Sequence, residues 1–361
     1  MIADKGARTP FLVLHRSMVR ENLAKLSRAL PGVAIHYAVK SNNHRAILEE
    51  VTAAGYSFDI ASYNELVQSA EAGGDVEGFI HSHPIKSPDE IENAVNSGVS
   101  LFVVDNPDEI GKFAAYADKV RLLIRFKVRN SSAVVNLSYK FGCEPANVLL
   151  LADRIRILGI KYHGLTFHVG SQCTDSEVYT DAIETASRLI DKLKGKDFDT
   201  RLLDIGGGFP VAYTDKIPSI YEFCRPIRRA LKEKINPDIA IACEPGRFIS
   251  ASAVTLVASV IGASIRSRRP WYFLDDGLYG SFSGRLYDHC LYQVYTNRNT
   301  TWKRSVLAGP TCDSFDVIYN NVLLPPLKIG DILLFPSMGA YCSVSASTFN
   351  SLRKAEYIVI D

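Results

Sequence analysis

Cysteine is scarce in this sequence and odd in number: seven in 361 residues, none at metal-ligand spacing. That argues against a disulfide framework and a tetrahedral zinc site, and it predicts a reducing, cytoplasmic compartment. An excess of one charge sign is also missing. Lysine and arginine number 41 against 39 aspartates and glutamates, a net +2. No strong field therefore draws the chain to nucleic acid or acidic lipid. No apolar run approaches the roughly 18 residues of a membrane span. The start, Met1-Ile2-Ala3-Asp4-Lys5-Gly6, lacks the apolar core of a signal peptide. There is no Gly-x-Gly-x-x-Gly fingerprint and no Gly-Lys-Ser/Thr, which disfavours nicotinamide and ATP chemistry. Short repeats and low-complexity tracts are absent too.

What is present is the composition of a globular protein with an ample core, 47% hydrophobic and 22% charged. The length suits one large domain or two. Strand-like runs at 35–40, 57–62, 79–83, 101–105, 121–128, 160–169, 202–206 and 239–244 alternate with helix-like segments at 44–54, 64–73, 87–97, 108–117, 146–155, 176–194 and 219–235. Ser87-Pro88 and Asn106-Pro107 place proline near a helix's first turn. This alternation predicts an α/β fold, a (β/α)8 TIM-like barrel, with a doubly wound sheet as the rival. After about residue 250 the pattern turns β-rich, at 251–264, 270–275, 303–309, 331–336 and 355–360. We read residues 29–250 as the barrel, and residues 1–28 with 251–361 as a mostly antiparallel β domain that the first strand, Pro10 to Leu14, joins. Regions 136–145 and 283–301 read as loops.

Barrels of this kind collect functional groups at the C-terminal ends of their strands. Here those ends carry Lys40, Asp59, Arg125, His168, the Gly206-Gly207-Gly208 turn and Glu244 with Arg247. An amine at a strand mouth, partly out of water, can lose its proton and form a Schiff base. Glycines let backbone N–H groups approach an anion, and barrels often bind phosphate at the last two loops. A carboxylate such as Glu244 beside a pyridine ring would keep its nitrogen protonated. His168 has the flat ring to stack on such a cofactor. Each residue alone also reads as an ordinary loop or core residue, and Glu244 as an ion-pair partner of Arg247. The set together points to a pyridoxal phosphate (PLP) site.

Several segments carry a family resemblance. They are Tyr37-Ala38-Val39-Lys40, Phe58-Asp59-Ile60-Ala61-Ser62, Lys140-Phe141-Gly142, Phe167-His168-Val169-Gly170-Ser171 and Leu203-Asp204-Ile205-Gly206-Gly207-Gly208-Phe209-Pro210. With them go Glu244-Pro245-Gly246-Arg247, Asp276-Gly277-Leu278-Tyr279-Gly280-Ser281-Phe282, Gly309-Pro310-Thr311-Cys312-Asp313, Met338-Gly339-Ala340-Tyr341 and Ala346-Ser347-Thr348-Phe349-Asn350. In order and over nearly the whole chain, these resemble fold type III PLP decarboxylases of the alanine racemase-like class, closest to ornithine decarboxylase. The resemblance implies that Lys40 carries PLP, that Asp59 pairs with it or assists proton movements near it, and that Glu65 joins the surrounding polar network. It implies that His168 stacks on the ring and that Glu244 faces the ring nitrogen. Ser171, Gly207, Gly208, Gly246, Arg247 and Tyr341 would bind the cofactor, mostly at its phosphate.

The resemblance further implies a homodimer with shared active sites, in which Lys140 lies near the interface and Cys312 and Asp313 complete the partner's site. Cys312 would return a proton to the substrate carbon after carbon dioxide leaves. Asp288, in Leu286-Tyr287-Asp288-His289, matches the position that receives a distal amine. With Asp313 it gives two carboxylates for one cation, which favours a diamino acid over a substrate with a distal carboxylate. The expected reaction is decarboxylation of L-ornithine to putrescine in polyamine biosynthesis, with lysine, arginine or another basic amino acid as alternatives. A racemase of the same barrel class and a catalytically inactive regulator of the antizyme-inhibitor type are the rival readings. Asn136 stands where ornithine decarboxylases usually have an arginine at the cofactor's phenolic oxygen, and Gln172 is more like the diaminopimelate branch.

Overall fold

The computed structural model describes residues 8–128 and 139–361. These residues form two compact units, one of Arg20–Pro210 with Ile217–Ile249, the other of the residues up to Val19 with Val211–Lys216 and Ser250–Asp361.

The first unit is built on eight parallel strands: β2 (Val33–Ala38), β3 (Ser57–Ile60), β4 (Ile80–His81), β5 (Leu101–Val104), β6 (Arg121–Arg125), β7 (Lys161–Thr166), β8 (Leu202–Asp204) and β9 (Ala240–Cys243). β2 pairs with both β3 and β9. The ring is thereby closed, which settles the choice against an open doubly wound sheet. Side chains alternate along each strand. Ile80, Leu101, Val103, Leu123, Leu202 and Ala242 pack into one buried cluster. Phe102, between two of these, packs instead against Phe113, with ring centroids 5.0 Å apart.

Helices α2 (Arg45–Ala53), α3 (Tyr63–Glu71), α4 (Pro88–Asn96), α5 (Pro107–Gly111), α6 (Val148–Ile157), α7 (Glu177–Lys194) and α8 (Ile220–Lys234) follow their strands. The two proline starts work as their sequences predict. Ser87 Oγ accepts the N–H of Glu90 at 3.2 Å, and Asn106 Oδ1 accepts that of Glu109 at 2.9 Å. The helix expected over 108–117 is broken. α5 stops at Gly111, a poor helix former, and Ala114–Tyr116 form a separate 3-10 turn. Helix α1 (Arg16–Ala29) was not expected from the sequence, yet Val19, Leu23 and Leu26 are buried at helical spacing.

The second unit holds β1 (Phe11–His15), β10 (Val254–Arg266), β11 (Arg269–Leu274), β12 (Tyr295–Thr296), β13 (Lys303–Ala308), β14 (Val317–Leu324), β15 (Ile332–Phe335) and β16 (Glu356–Ile360) in one mixed sheet. β1 lies antiparallel to β10 and parallel to β16. Phe11, Val13 and Val257 are buried there against Ile358 and Ile360. β11 and β13 are the other parallel pair. Helix α9 spans Arg247–Ser250, and region 283–301, expected as loop, contains the short helix α10 (Gly284–Tyr287) and strand β12. No helix among the described residues is long and apolar enough to cross a membrane.

Two histidines of the barrel are held without charge, His81 buried and His36 half-buried. His81 ends β4 and stacks on Phe102 at 5.7 Å, with neither ring nitrogen hydrogen-bonded. Burial, with Lys86 and His83 nearby, pushes its pKa down to about 3. Burial pushes His36 down to about 4, against the pull of Asp59. Below the ordinary value of 6.5 the unfolded chain takes up protons that these rings refuse, so stability falls as the solution is acidified. His81→Phe keeps the ring stack and removes one such proton. Its unfolding free energy should fall less steeply than wild type below pH 6.5, by about 1.4 kcal/mol per pH unit. Urea unfolding across that range measures it, and parallel slopes would refute a neutral His81.

Candidate active site

The site assembles where the barrel strands end. The apolar run expected as a strand to Lys40 stops hydrogen bonding at Ala38. Val39–Ser41 make a 3-10 turn instead, so Lys40 sits just past the strand rather than on it. Tyr37 fixes that turn, its hydroxyl donating to the Asn42 carbonyl at 2.9 Å and lying 3.1 Å from Ser41 Oγ. Gly246 lies against the turn so closely that a Cβ there would stand 2.8 Å from Ser41 Cβ. Lys40 Nζ is ion-paired with Asp59 Oδ2. Asp59 is fully buried on β3, and its Oδ1 has no hydrogen-bond partner.

On the other side, Gly206 and Gly208 take left-handed φ angles of 66° and 108°. A Cβ on Gly206, Gly207 or Gly208 would strike the carbonyl oxygen of Phe167, Glu244 or Gly170 respectively. Only glycine fits at each. Tyr179 buttresses the turn from behind, its hydroxyl donating to the Gly207 carbonyl at 2.7 Å. Cys173 N–H donates to the Gly208 carbonyl at 2.9 Å. The buried Arg247 donates from Nη2 to Ser171 Oγ at 2.8 Å. A side-chain-free turn together with a guanidinium from the segment after β9 and a hydroxyl from the loop after β7 is a seat for a phosphate-sized anion.

Between the amine and the glycine turn lie a ring and a carboxyl group. His168 Nδ1 accepts the Gly170 N–H at 2.9 Å, which places the ring proton on Nε2. Burial, then the charges of Arg125 and Lys40, push its pKa well below the usual histidine range. Glu244 follows β9, and burial with the neighbouring Asp204 and Asp59 carboxyls pushes its pKa well up. Its Oε1 is buried and has no hydrogen-bond partner. An unpartnered carboxyl oxygen deep in a barrel is what a protonated ring nitrogen needs opposite it. The barrel residues therefore fit PLP: an amine for its aldehyde, an anion seat for its phosphate, an acceptor for its nitrogen.

Other barrel residues shape the mouth. Arg125 ends β6 with the carboxyls of Glu244, Asp105, Asp204 and Asp59 acting on it. Phe141 lies beneath both Arg125, at 5.4 Å, and Lys140, at 4.8 Å. Its segment is held by the Gly142 N–H donating to Asp105 Oδ2 at 2.8 Å. Glu65 Oε2 accepts the Ala61 N–H at 2.7 Å, and burial pushes its carboxyl pKa up. Gln172 adopts a left-handed φ of 55°. Asn136 lies outside the described residues. Sequence reading passed over Asp204, Thr166, Tyr179 and Asp105. Each looks like a core or loop residue in the sequence, and only their hydrogen bonds reveal them.

The remaining expected residues belong to the β unit. Cys312 is exposed, with its N–H donating to Asn350 Oδ1 at 3.0 Å and its Sγ 3.3 Å from Asn350 Nδ2. Next to it, Asp313 accepts from the Tyr279 hydroxyl and, at 3.0 Å, from the Phe315 N–H. These bonds hold its carboxyl below the usual range. Tyr279 stacks on Phe349 at 4.5 Å. Asp288 caps α10, its N–H donating to the Gly284 carbonyl at 3.1 Å. Tyr341 has a left-handed φ of 56°, and its carbonyl accepts from Ser345 Oγ at 2.8 Å.

Comparison with known proteins points to the same cofactor. Residues 16–251 match the family described as "Pyridoxal-dependent decarboxylase, pyridoxal binding domain". A lysine/ornithine decarboxylase of Selenomonas ruminantium is 38% identical over 98% of this chain and 90% of its own. The crystal structure of a lysine/ornithine decarboxylase from Vibrio vulnificus complexed with putrescine superposes with a TM-score of 0.93 at 41% identity, covering 98% of this chain and 94% of that one. An antizyme inhibitor 2 of Xenopus laevis also matches, 33% identical over 94% of this chain and 78% of its own. Amine, carboxyl and anion seat stand together here in a chain so similar to catalysts of known reaction, and on that ground this protein belongs to the pyridoxal-dependent decarboxylases, as an enzyme that removes the carboxylate of a basic amino acid.

Proposed function

We propose that the reaction is the conversion of L-ornithine to putrescine, with L-lysine as a second substrate. The observation that carries the substrate assignment is Asp313. It is held as an anion by Tyr279 and Phe315 on an exposed loop beside Cys312, so a fixed negative charge awaits a distal ammonium group. Asp288 would be the second carboxylate for that cation. Lysine is added because the Vibrio vulnificus relative has also been solved complexed with cadaverine, at a TM-score of 0.94 and 40% identity, covering 100% of this chain and 95% of that one.

When bound, PLP supplies a conjugated ring that accepts the electron pair left by departing carbon dioxide. The roles of the side chains follow from their chemistry. Lys40 Nζ would hold the aldehyde carbon, with Asp59 as its counter-charge. Arg247, Ser171, Gly207, Gly208, Gly246 and Tyr341 would bind the cofactor, chiefly at its phosphate. Glu244 would accept the proton-bearing ring nitrogen at Oε1. A neutral His168 would lie flat on the ring without competing with it for positive charge. Cys312 would deliver a proton to the substrate's α-carbon. Because Cys312 and Asp313 are displayed on an exposed loop, we assign them to the active site of a second copy, in a homodimer with Lys140 near the interface.

The test is a panel of L- and D-basic amino acids with the product amines identified by mass. Putrescine from L-ornithine should form fastest. Cadaverine from L-lysine should follow within about 10- to 200-fold, the range one methylene usually commands. Agmatine as the main product, or equal turnover of the D-forms, would overturn the assignment.

A further inference from the structure

We propose that Asp204 and Glu244 form a dyad that shares one proton, and that Asp204 is the positioning residue which orients Glu244 toward the cofactor's ring nitrogen. This rests on the reading that Glu244 faces that nitrogen.

The backbone brings the two groups together. β8 and β9 are neighbours in the barrel, with Asp204 in register with Ala242, and Glu244 follows two residues later. Gly206 staples the pair: its N–H donates to Asp204 Oδ1 at 2.9 Å, while its carbonyl accepts the Glu244 N–H at 2.9 Å. Their side chains are within hydrogen-bonding reach of each other. Both are buried, Asp204 completely. Two carboxylates this close in a dry site do not both ionise.

The hydrogen bonds say which one keeps the proton. Each Asp204 oxygen already accepts a protein donor, Gly206 N–H on Oδ1 and the Thr166 hydroxyl on Oδ2 at 3.0 Å. Donors favour the ionised form. Glu244 Oε1 has none. Burial and the Asp59 charge raise the proton affinity of both; at Asp204 three hydrogen bonds oppose this, whereas at Glu244 the Asp204 charge adds to it and only Lys40 opposes it. Asp204 is therefore the anion and Glu244 the proton donor between them. Sharing that proton points one Glu244 oxygen at Asp204 and leaves Oε1 as an acceptor facing the site. Two carboxyls with one proton carry a single negative charge. A protonated ring nitrogen would carry a single positive one, so the dyad and that nitrogen together would sum to zero.

Because Asp204 also grips Gly206, the same residue ties the acceptor for the ring nitrogen to the glycine turn proposed for the phosphate. The two ends of the cofactor site are thereby set at a fixed spacing by one buried side chain.

The experiment uses the PLP-loaded enzyme and two readouts besides turnover. One is the infrared carbonyl stretch of a buried protonated carboxyl at neutral pH. The other is the cofactor dissociation constant. Wild type should show the band. Asp204→Asn and Glu244→Gln should each lose the same band, and Asp204→Asn should release PLP about 10- to 100-fold more readily. If Glu244→Gln keeps both the wild-type band and the wild-type affinity, Glu244 does not face the ring nitrogen. If Glu244→Gln loses both while Asp204→Asn loses neither, the dyad is wrong and the placement of Glu244 stands. Should Asp204→Asn fail to fold, Thr166→Val decides. It removes one donor from Asp204 and keeps both carboxyls, so the band should shift in frequency without loss of intensity. An unmoved band would overturn the dyad.

Discussion

Lys40→Ala should give a colourless protein that has lost its absorbance near the visible edge and at least about a thousandfold of its turnover, some 4 kcal/mol of barrier. The loss has two separable causes. The first is chemical: Lys40 Nζ stands beside Asp59 at the mouth of the barrel, and no other amine among the described residues is paired with that carboxylate. The second is electrostatic. Removing the lysine leaves a fully buried carboxylate, already without a partner at Oδ1, with no counter-charge. Breaking a buried pair from one side typically costs about 3–5 kcal/mol. Here the lysine side chain is 36% exposed, so solvent screening lowers the expected loss to the bottom of that range or below. Lys40→Arg restores a cation that can pair with Asp59 but cannot bond covalently to an aldehyde. It should recover thermal stability and remain colourless. A yellow Lys40→Ala protein would remove the assignment of the covalent attachment point, whatever its stability.

The barrel was readable in the sequence because burial there is periodic and continuous, and it was misread at one end of each strand for the same reason. The run 121–128 looked like one strand, but the ladder of β6 stops at Arg125 while Phe126 and Val128 remain buried. The run 160–169 likewise outlasts β7, which ends at Thr166, because Phe167 and Val169 still pack inside. An apolar pattern reports burial, and at the mouth of a barrel burial continues beyond the last inter-strand hydrogen bond. Strand β14 was invisible for the opposite reason. Its centre is Asn320-Asn321, residues that strands disfavour, and among the described residues it pairs only with β13, at the edge of the sheet, leaving both asparagines exposed. Helix α1 was legible in principle, since Val19, Leu23 and Leu26 fall on one face.

The candidate site residues stand out in the sequence because motif and strand end coincide. Lys40, His168, the glycine turn and Glu244 each follow an apolar run directly. Asp204 does not stand out, because it sits inside one: Leu202-Leu203-Asp204-Ile205 reads as a core strand with a blemish. What makes it a polar hub is two hydrogen bonds and a neighbour on the next strand. Residue spacing along the chain does not encode that proximity.

A mixture of two crippled subunits should recover activity that neither has alone. Cys312→Ala should still release carbon dioxide but misprotonate the product, lowering formation of the correct diamine by about 10²- to 10⁴-fold, the usual weight of a placed proton donor. Lys40→Ala should be dead. If Cys312 serves the partner's site, a mixed dimer contains one intact site, built from Lys40 of one chain and Cys312 of the other. Random pairing makes half the dimers mixed, so coexpressed subunits should show about a quarter of wild-type diamine formation. The surface around Cys312 favours this arrangement. Tyr287 is 65% exposed, Phe315 60% and Phe349 40%. These three line a single cavity of about 610 Å³ in the β unit, together with Leu278 and Tyr279. Exposed aromatics gathered at one concave place are what an association surface would need, and Asp313 lies at the edge of this one through its bond to Tyr279. If each chain held a complete site, both variants would remain crippled in every pairing, and mixing would add nothing to the residual activity of Cys312→Ala. A quarter-strength recovery has no source other than a site divided between two copies.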